Sequence, residues 1–197
     1  MQKEWSYFFI GGIRGYLTRY NYQRDKIEFE DRISEMALMD LRATREGPRK
    51  VLIILFQDII GNKHIHVRDA MSALHMRSIG EQMNTHINSF LVKDSSLLFS
   101  SKNEILVYNY CDGQYITKLK LPSQEFITFL HKNGNLLLAT TSDGFVHAYN
   151  FKSMNSVGYI RCDSISLLVV LQDKLIFGSW LKTIKSVTIP KHMLAIR

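Results

Sequence analysis

The sequence of 197 residues is long enough to bury one substantial core or a short array of repeats, and its 46% hydrophobic and 11% aromatic content excludes a disordered chain. The 25 Lys and Arg residues outnumber the 18 Asp and Glu residues, so the formal net charge of +7 favours acidic partners or else only a cationic surface. Two cysteines are too few for a disulfide framework, and the longest apolar runs are too short for a membrane helix. We therefore predict an intracellular protein, cytoplasmic or nuclear, that has no membrane contact.

One short strand pattern recurs along the chain, and we call the last polar residue of each copy its marker. The copies are "YLTRYNY", "HIHVRDA", "ILVYNYC", "FVHAYNF" and a degenerate "IKSVTIP", and their markers are Asn21, Asp69, Asn109, Asn150 and Thr188. Successive markers are 38 to 48 residues apart. A period near 40 residues that is built from short strands is typical of propeller blades, in which each unit is one four-stranded sheet.

The residues around each marker strand follow a common order. An apolar run precedes the strand across a tight turn, an amphipathic strand follows it, and a further apolar stretch comes next. One such sheet cannot bury both of its faces alone, whereas stacked units cover each other. We predict an all-β protein, a partial or incomplete β-propeller of about four to five blades with four antiparallel strands each. The approximate blades of this single segment, 1–197, are 1–36, 37–82, 83–122, 123–163 and 164–197.

The first blade and the step to the second are irregular. The chain starts with "EWSYFFIGG", which has the pattern of a second strand, so we expect either a fragment of a larger ring or a ring that closes with missing pieces. The step of 48 residues contains an insertion at Arg42–Lys50, which we expect to be a loop between strands. Glu30–Arg45 is the best helical candidate because good helix formers dominate it. The alternative is that its first half is the outer strand of blade one.

The run "VRDAMSALHMRSI", Val67–Ile79, resembles the strand–turn–strand unit of WD repeats. More narrowly, it is similar to the carboxy-terminal WD propeller of the zinc finger protein 106 family. The resemblance implies a WD40-like β-propeller, and relatives in that family are linked to RNA binding and signalling adaptor roles. The sequence departs from the family in three ways. It lacks the family's zinc finger, and it has Gly80-Glu81 where WD repeats have Gly-His. In place of the Trp-Asp pair it has Tyr20-Asn21, Arg68-Asp69, Tyr108-Asn109 and Tyr149-Asn150. By this resemblance the three tyrosines take the tryptophan's packing position in the core.

Three motifs are weak candidates for chemistry. His64 and His66 would share one face of a strand, but no third ligand accompanies them at useful spacing, so we predict no metal and no cofactor. Ser142–Gly144 is read first as a hairpin turn and not as part of a catalytic triad. "GGIRG", Gly11–Gly15, lacks the spacing of a phosphate loop and is read as a turn whose glycines take positive φ. We therefore predict no enzyme, no catalytic residues and no small-molecule substrate.

Basic residues supply the remaining candidate site. Possible contacts with RNA or a partner are the four cations of the insertion and two near it: Arg42, Arg45, Arg49, Lys50, Lys63 and Arg68. Such a loop can clamp phosphates, although most charged loops are simply solvated. We predict a non-catalytic protein–protein interaction scaffold with protein partners, and the alternative is RNA binding through the basic surface. The natural contact loops are Arg42–Lys50, Cys111–Gly113, Ser142–Gly144 and Lys152–Asn155.

Overall fold

The computed structural model describes residues 6–80, 87–122, 124–162, 165–179 and 183–194, without the side chains of residues 166, 167 and 179. The chain divides into two compact units. Unit 1 comprises Met1–Thr85 and Asn109–Gln114, and unit 2 comprises His86–Tyr108 and Tyr115–Arg197. In the described residues nearly all regular structure is antiparallel β-sheet, and each strand pairs with its neighbour in sequence.

Unit 1 contains two sheets. Sheet 1 has three strands, which are β1 Tyr7–Gly11, β2 Tyr16–Asn21 and β3 Lys26–Arg32. Sheet 2 has four strands, which are β4 Ala37–Glu46, β5 Arg49–Gln57, β6 Lys63–Asp69 and β7 His75–Ile79. Strand β5 is an almost unbroken run of buried apolar residues, as expected for a strand covered on both faces.

The strands of unit 2 form three sheets. Sheet 3 has β8 Phe90–Lys93, β9 Ser96–Ser101, β10 Glu104–Asn109 and β11 Tyr115–Lys120. Sheet 4 has β12 Ile127–Asn133, β13 Leu136–Thr141, β14 Phe145–Asn150 and β15 Ser156–Arg161. Sheet 5 has β16 Ile165–Leu171, β17 Lys174–Ser179 and β18 Ile184–Thr188, and the short helix α1 Lys191–Leu194 follows it. The prediction of an all-β fold built from small antiparallel sheets is confirmed.

Each predicted marker strand is a strand of the structure, and four of them end in the same turn. The marker oxygen of Asn150 accepts hydrogen bonds from the backbone N–H groups of Lys152, at 2.9 Å, and Ser153, at 3.0 Å. Asn21 and Asp69 accept the same pair of bonds, and Asn109 accepts the first of them. The residue four positions after each marker has positive φ, which closes the turn: Asp25, Ala73, Gly113 and Met154. A short polar side chain that captures nearby N–H groups therefore explains the Asn or Asp of the repeat.

Face-to-face packing of neighbouring sheets buries the core within each unit. In unit 1, Leu17 of sheet 1 packs with Leu52, Ile54 and Phe56 of sheet 2. In unit 2, one cluster joins sheets 3 and 4 and another joins sheets 4 and 5. Helix α1 contributes Met193 to the second of these clusters. Sheet-on-sheet packing is thus the repeated interaction of this fold.

Two predictions about the region 30–50 are wrong. Arg42–Lys50 is not an inserted loop, because β4 and β5 pair from Ala37↔Gln57 to Glu46↔Arg49 and only Gly47 and Pro48 lie in the turn. The extra residues lengthen a hairpin, and Gly47 at φ 58° supplies its tight turn. Glu30–Arg45 is not a helix either, since β3 and β4 account for most of it. The alternative is met in part, because Glu30–Arg32 belongs to β3, the outer strand of sheet 1. Tertiary pairing has overridden helix propensity here.

Two smaller expectations are met in part. Tyr108 and Tyr149 are buried, 8% and 3% exposed, whereas Tyr20 is only half-buried and stacks on Phe8. Gly11–Gly15 does form the turn between β1 and β2, but only Gly15 in it has positive φ. A Cβ on Gly15 would lie 1.9 Å from the Ser34 carbonyl oxygen, so this position requires glycine for its space as well as for its conformation.

Candidate interaction surface

The turn between β5 and β6 presents two isoleucines to solvent. The side chains of Ile59 and Ile60 are 98% and 79% exposed, which places Ile59 among the most exposed apolar residues of the described chain. Isolated apolar side chains are common on protein surfaces, but two adjacent, strongly exposed apolar side chains at the tip of a turn are typical of a contact site. Sequence reasoning missed this pair.

Asp58 fixes the backbone that carries these isoleucines. Its Oδ1 accepts hydrogen bonds from the N–H groups of Ile60, at 3.0 Å, and Asn62, at 2.8 Å, and its Oδ2 accepts one from Asn62 Nδ2 at 3.0 Å. His64 Nε2 lies 3.3 Å from the same oxygen. Partial burial opposes ionisation of this carboxyl group, but the hydrogen bonds from His64 and Asn62 outweigh it and lower the pKa of Asp58. The isoleucines are therefore held on a rigid and ionised turn.

A third exposed isoleucine lies on the turn between β1 and β2 of sheet 1. Ile13 is 81% exposed, and Arg14 beside it is exposed too. Backbone pairing connects this turn to the turn between β5 and β6. The Leu38 N–H donates to the Gly12 carbonyl at 3.2 Å, and Leu38 pairs with Phe56, which is two residues before Asp58. We call Ile13, Ile59 and Ile60 the isoleucine tips. All three are exposed on turns of unit 1, and Arg14 follows Ile13 in the sequence.

The structure divides the predicted basic residues into two groups. Arg42, Arg45 and Arg49 are exposed on the β4–β5 hairpin, and Arg42 forms an ion pair with Asp40 at 2.5 Å. Exposed pairs of this kind contribute little to stability, so the three side chains remain accessible to a partner. Lys50 is half-buried, with its Nζ 5.7 Å from the centre of the Tyr7 ring.

Lys63 and Arg68 have contacts inside unit 1. Lys63 Nζ donates to Gln57 Oε1 at 2.7 Å, and Arg68 donates to the carbonyls of Ala73 and Ile33 at 2.8 and 2.9 Å. Burial lowers the pKa of both side chains. Lys63 also lies at the opposite end of β6 from the hairpin, about 20 Å from Asp69 along the strand. The six predicted residues therefore do not form one patch.

Three histidines lie on strands β6 and β7 of sheet 2. The ring centres of His64 and His66 are 6.5 Å apart, and His75 on β7 places its ring 4.9 Å from His66. A cavity of about 40 Å³ lies against His64 and His66. Even so, within the residues that the structure describes, no group of three or more His, Cys, Asp or Glu side chains is placed to hold a metal ion.

The predicted contact loops of the marker turns and of sheet 4 are polar. Ser142–Gly144 is a hairpin turn, and Ser142 Oγ donates to Glu125 Oε2 at 2.8 Å. The Cys111 N–H donates to the marker oxygen of Asn109 at 2.9 Å.

In unit 2 an open cleft of about 450 Å³ is lined by Asn133, Gly134, Asn135 and Gln172. No helix within the described part of the chain has the length and hydropathy that a membrane span requires.

Comparisons with known proteins identify the fold class. No protein-family model and no curated protein matches the chain. Among solved structures, yeast (Saccharomyces cerevisiae) Sqt1 is similar over 96% of this chain and 57% of its own, with a TM-score of 0.73 at 13% identity. A chain of the mitotic checkpoint complex is similar over 94% of this chain and 58% of its own, with a TM-score of 0.73 at 12% identity. The designed protein Ika8 is similar over 94% and 56%, with a TM-score of 0.70 at 14% identity.

These likenesses, together with the five antiparallel sheets, define a WD40-like β-propeller fold. The chain spans 56% to 58% of the length of these three neighbours. At identities of 12% to 14% they show the fold alone.

Proposed function

We propose that this chain is a non-catalytic protein-interaction scaffold that binds its partner through the isoleucine tips. The observation that carries the proposal is the exposure of Ile59 and Ile60, 98% and 79%, on a turn that Asp58 holds by three hydrogen bonds. A preorganised apolar contact binds without a large entropy loss on ordering the loop. The exposed Arg14 next to Ile13 fits a partner segment that places a carboxylate beside its apolar residues.

Affinity capture from native cells with matched variants tests this proposal. Ile59→Asp together with Ile60→Asp should reduce the recovery of the specific partner at least about tenfold, because an aspartate buried in an apolar contact loses its hydration. Ile116→Asp is the control, since Ile116 is an isoleucine of unit 2 that is 52% exposed on β11 and is not one of the isoleucine tips. Each of these side chains is exposed, so every variant should unfold within about 0.5 kcal/mol of the parent. Equal recovery by all three proteins would contradict the proposal.

RNA binding through the β4–β5 hairpin is the second candidate. The three exposed arginines on one hairpin, Arg42, Arg45 and Arg49, support it. Phosphate contacts make affinity fall steeply between about 50 and 200 mM salt, so the triple change of these arginines to glutamine should flatten that dependence. A salt dependence that the triple variant leaves unchanged would exclude this surface. Lys63 and Arg68 are left out of the variant because they have contacts inside unit 1.

We also infer that residues 1–197 form a single propeller segment with the predicted blade boundaries, and that the protein acts in the cytoplasm or nucleus. The chain has only two cysteines, too few for a disulfide framework, which favours an intracellular site. The narrower similarity to the zinc finger protein 106 family stays a prediction that rests on the sequence of Val67–Ser72. A cell-fractionation experiment with an antibody against the native protein would test the compartment.

A further inference from the structure

The first sheet exposes a face that is buried at the equivalent positions of sheet 4. When the markers Asn21 and Asn150 are aligned, Phe8 corresponds to Leu137 and Ile10 to Ala139. Leu137 and Ala139 are fully buried against sheet 3, whereas Phe8 and Ile10 are 58% and 59% exposed. We call the face that carries these positions the rear face of a sheet. The rear face of sheet 2 is covered as well, because Leu52 and Ile54, at the same positions, pack on sheet 1.

The last sheet exposes the opposite face. In sheet 4 this front face carries Leu138 and Val146, which pack against sheet 5 and are fully buried. Alignment of the markers Asn150 and Thr188 makes Ile184 of sheet 5 the equivalent of Val146, and Ile184 is 83% exposed. On the adjacent strand β16, Val169 and Leu171 are 49% and 60% exposed. Sheet 5 therefore has an open apolar front face.

We infer that a second copy of this chain covers these faces, with the front face of sheet 5 in one copy packed on the rear face of sheet 1 in the other. Every covered interface described within the units joins a front face to a rear face: sheet 1 to sheet 2, sheet 3 to sheet 4, and sheet 4 to sheet 5. The described residues of sheet 1 expose a rear face, and those of sheet 5 expose a front face. The copies thus repeat between chains the contact that each unit already makes within itself.

The area of the faces favours a dimer in which each copy uses both its rear face of sheet 1 and its front face of sheet 5. Sheets 1 and 5 each have strands of 5, 6 and 7 residues. At roughly 16 Å² of sheet per residue, one face has a flat area of about 300 Å². A stable complex buries about 800 Å² of accessible surface per partner. The flat area of one face is well below this value. The flat area of two faces is about 600 Å², and their projecting side chains add accessible surface, so two faces together approach the value.

Sedimentation velocity over about 1 to 100 µM protein tests the inference. The parent chain should form a species of twice its mass of 22.9 kDa. Phe8→Asp with Ile10→Asp removes the rear face and Ile184→Asp removes the front face, and each variant alone should raise the dimer Kd by about a hundredfold or more because it buries unpaired carboxylates. A mixture of the two variants retains one intact front-to-rear contact out of two, so its heterodimer should be weaker than the parent dimer but tighter than the dimer of either variant alone.

The controls separate this inference from the proposed function. Ile59→Asp lies outside both faces and should leave the dimer intact, even where it abolishes partner capture. Circular dichroism should show each variant folded, and Leu171→Asp replaces Ile184→Asp if the latter does not fold. A monomeric parent chain across the concentration range would overturn the inference. So would a front-face variant that still dimerises on its own, because that result would require rear face to pack on rear face.

Discussion

Sheets 1 and 4 share one backbone pattern and differ in what surrounds it. Their markers, Asn21 and Asn150, each accept two backbone N–H bonds in the following turn. The tyrosines just before them behave differently: Tyr149 is 3% exposed and packs on sheet 3, while Tyr20 is half-buried beside the exposed Phe8. The repeat therefore encodes the turn and the register locally, whereas the burial of a side chain depends on whether a neighbouring sheet covers it.

The largest expected difference between the two sheets is at these tyrosines. Tyr149→Ala should lower the free energy of unfolding by about 3–5 kcal/mol, because it removes a large buried side chain and leaves a cavity between sheets 3 and 4. Tyr20→Ala should lower it by about 1 kcal/mol or less, since that side chain already contacts water. Urea unfolding followed by circular dichroism measures both values. Equal losses would show that Tyr20 is covered in solution.

Glycines at the two sheets should differ next. Gly158 of sheet 4 has φ 148°, and a Cβ there would lie 2.5 Å from Met193 Cε. Gly158→Ala should cost about 1–3 kcal/mol, most of it from the backbone conformation because the methionine tip can move aside. Gly12→Ala in the first turn is the control, since its nearest contact would be 3.9 Å away and its φ is ordinary, so unfolding should hardly change. A neutral Gly158→Ala variant would indicate that β15 adopts another conformation.

The sequence was sufficient to predict the strands because their signal is local. Alternation and a turn residue such as Asp69 or Asn150 depend on neighbours within a few positions, so all five marker strands are found where they were expected. The helical alternative for Glu30–Arg45 is wrong for the opposite reason. Helix propensity is also local, but the pairing of β4 with β5 over nine register positions outweighs it, and no short window contains that pairing.

The candidate surface was less predictable. Charge alone grouped Arg68 with Arg42, although Arg68 extends under the sheet to two carbonyl groups and Arg42 faces solvent. Ile59 and Ile60 follow a buried strand directly, so in the sequence they look like more core. The usable signal was the flanking Asp58 and Gly61, which predict a turn at those isoleucines and hence their exposure. The exposed fraction of a side chain depends on three-dimensional packing, which residue spacing in the sequence does not determine.

The marker residue itself should make a similar contribution to stability in both sheets. Asn150→Ala should lower the free energy of unfolding by about 0.5–2 kcal/mol, since two turn N–H groups lose their acceptor. Asn150→Asp should retain most of the stability, because Asp69 accepts the same pair of bonds at the equivalent position of sheet 2. Asn21→Ala should cost slightly more than Asn150→Ala, as Asn21 also donates to Glu28 at 2.9 Å. An Asp substitution as harmful as Ala would contradict the capture of N–H groups by the marker.

The smallest expected effect is a pH dependence that sheet 4 has and sheet 1 lacks. Three residues before the marker, sheet 4 has His147 where sheet 1 has Thr18. Burial lowers the pKa of His147 and outweighs the nearby Asp143, which acts in the opposite direction; burial also lowers the pKa of His131. The unfolded chain, with histidine pKa values near 6.5, therefore binds more protons than the folded chain just below that pH.

It follows that the stability contributed by neutral His147 is complete above about pH 6.5 and is lost as the pH falls from there through the folded-state pKa. The melting temperature of the parent chain should drop between pH 7.5 and pH 5.5, by roughly 2–4 °C for each kcal/mol lost. His147→Gln cannot be protonated in this range, so the drop should become smaller, and His147→Gln with His131→Gln should reduce it further. Thr18→Val in sheet 1 should leave the pH profile parallel to that of the parent. A pH profile unchanged by the glutamine variants would mean that His147 is solvated, and sheet 4 would then be as open at this position as sheet 1.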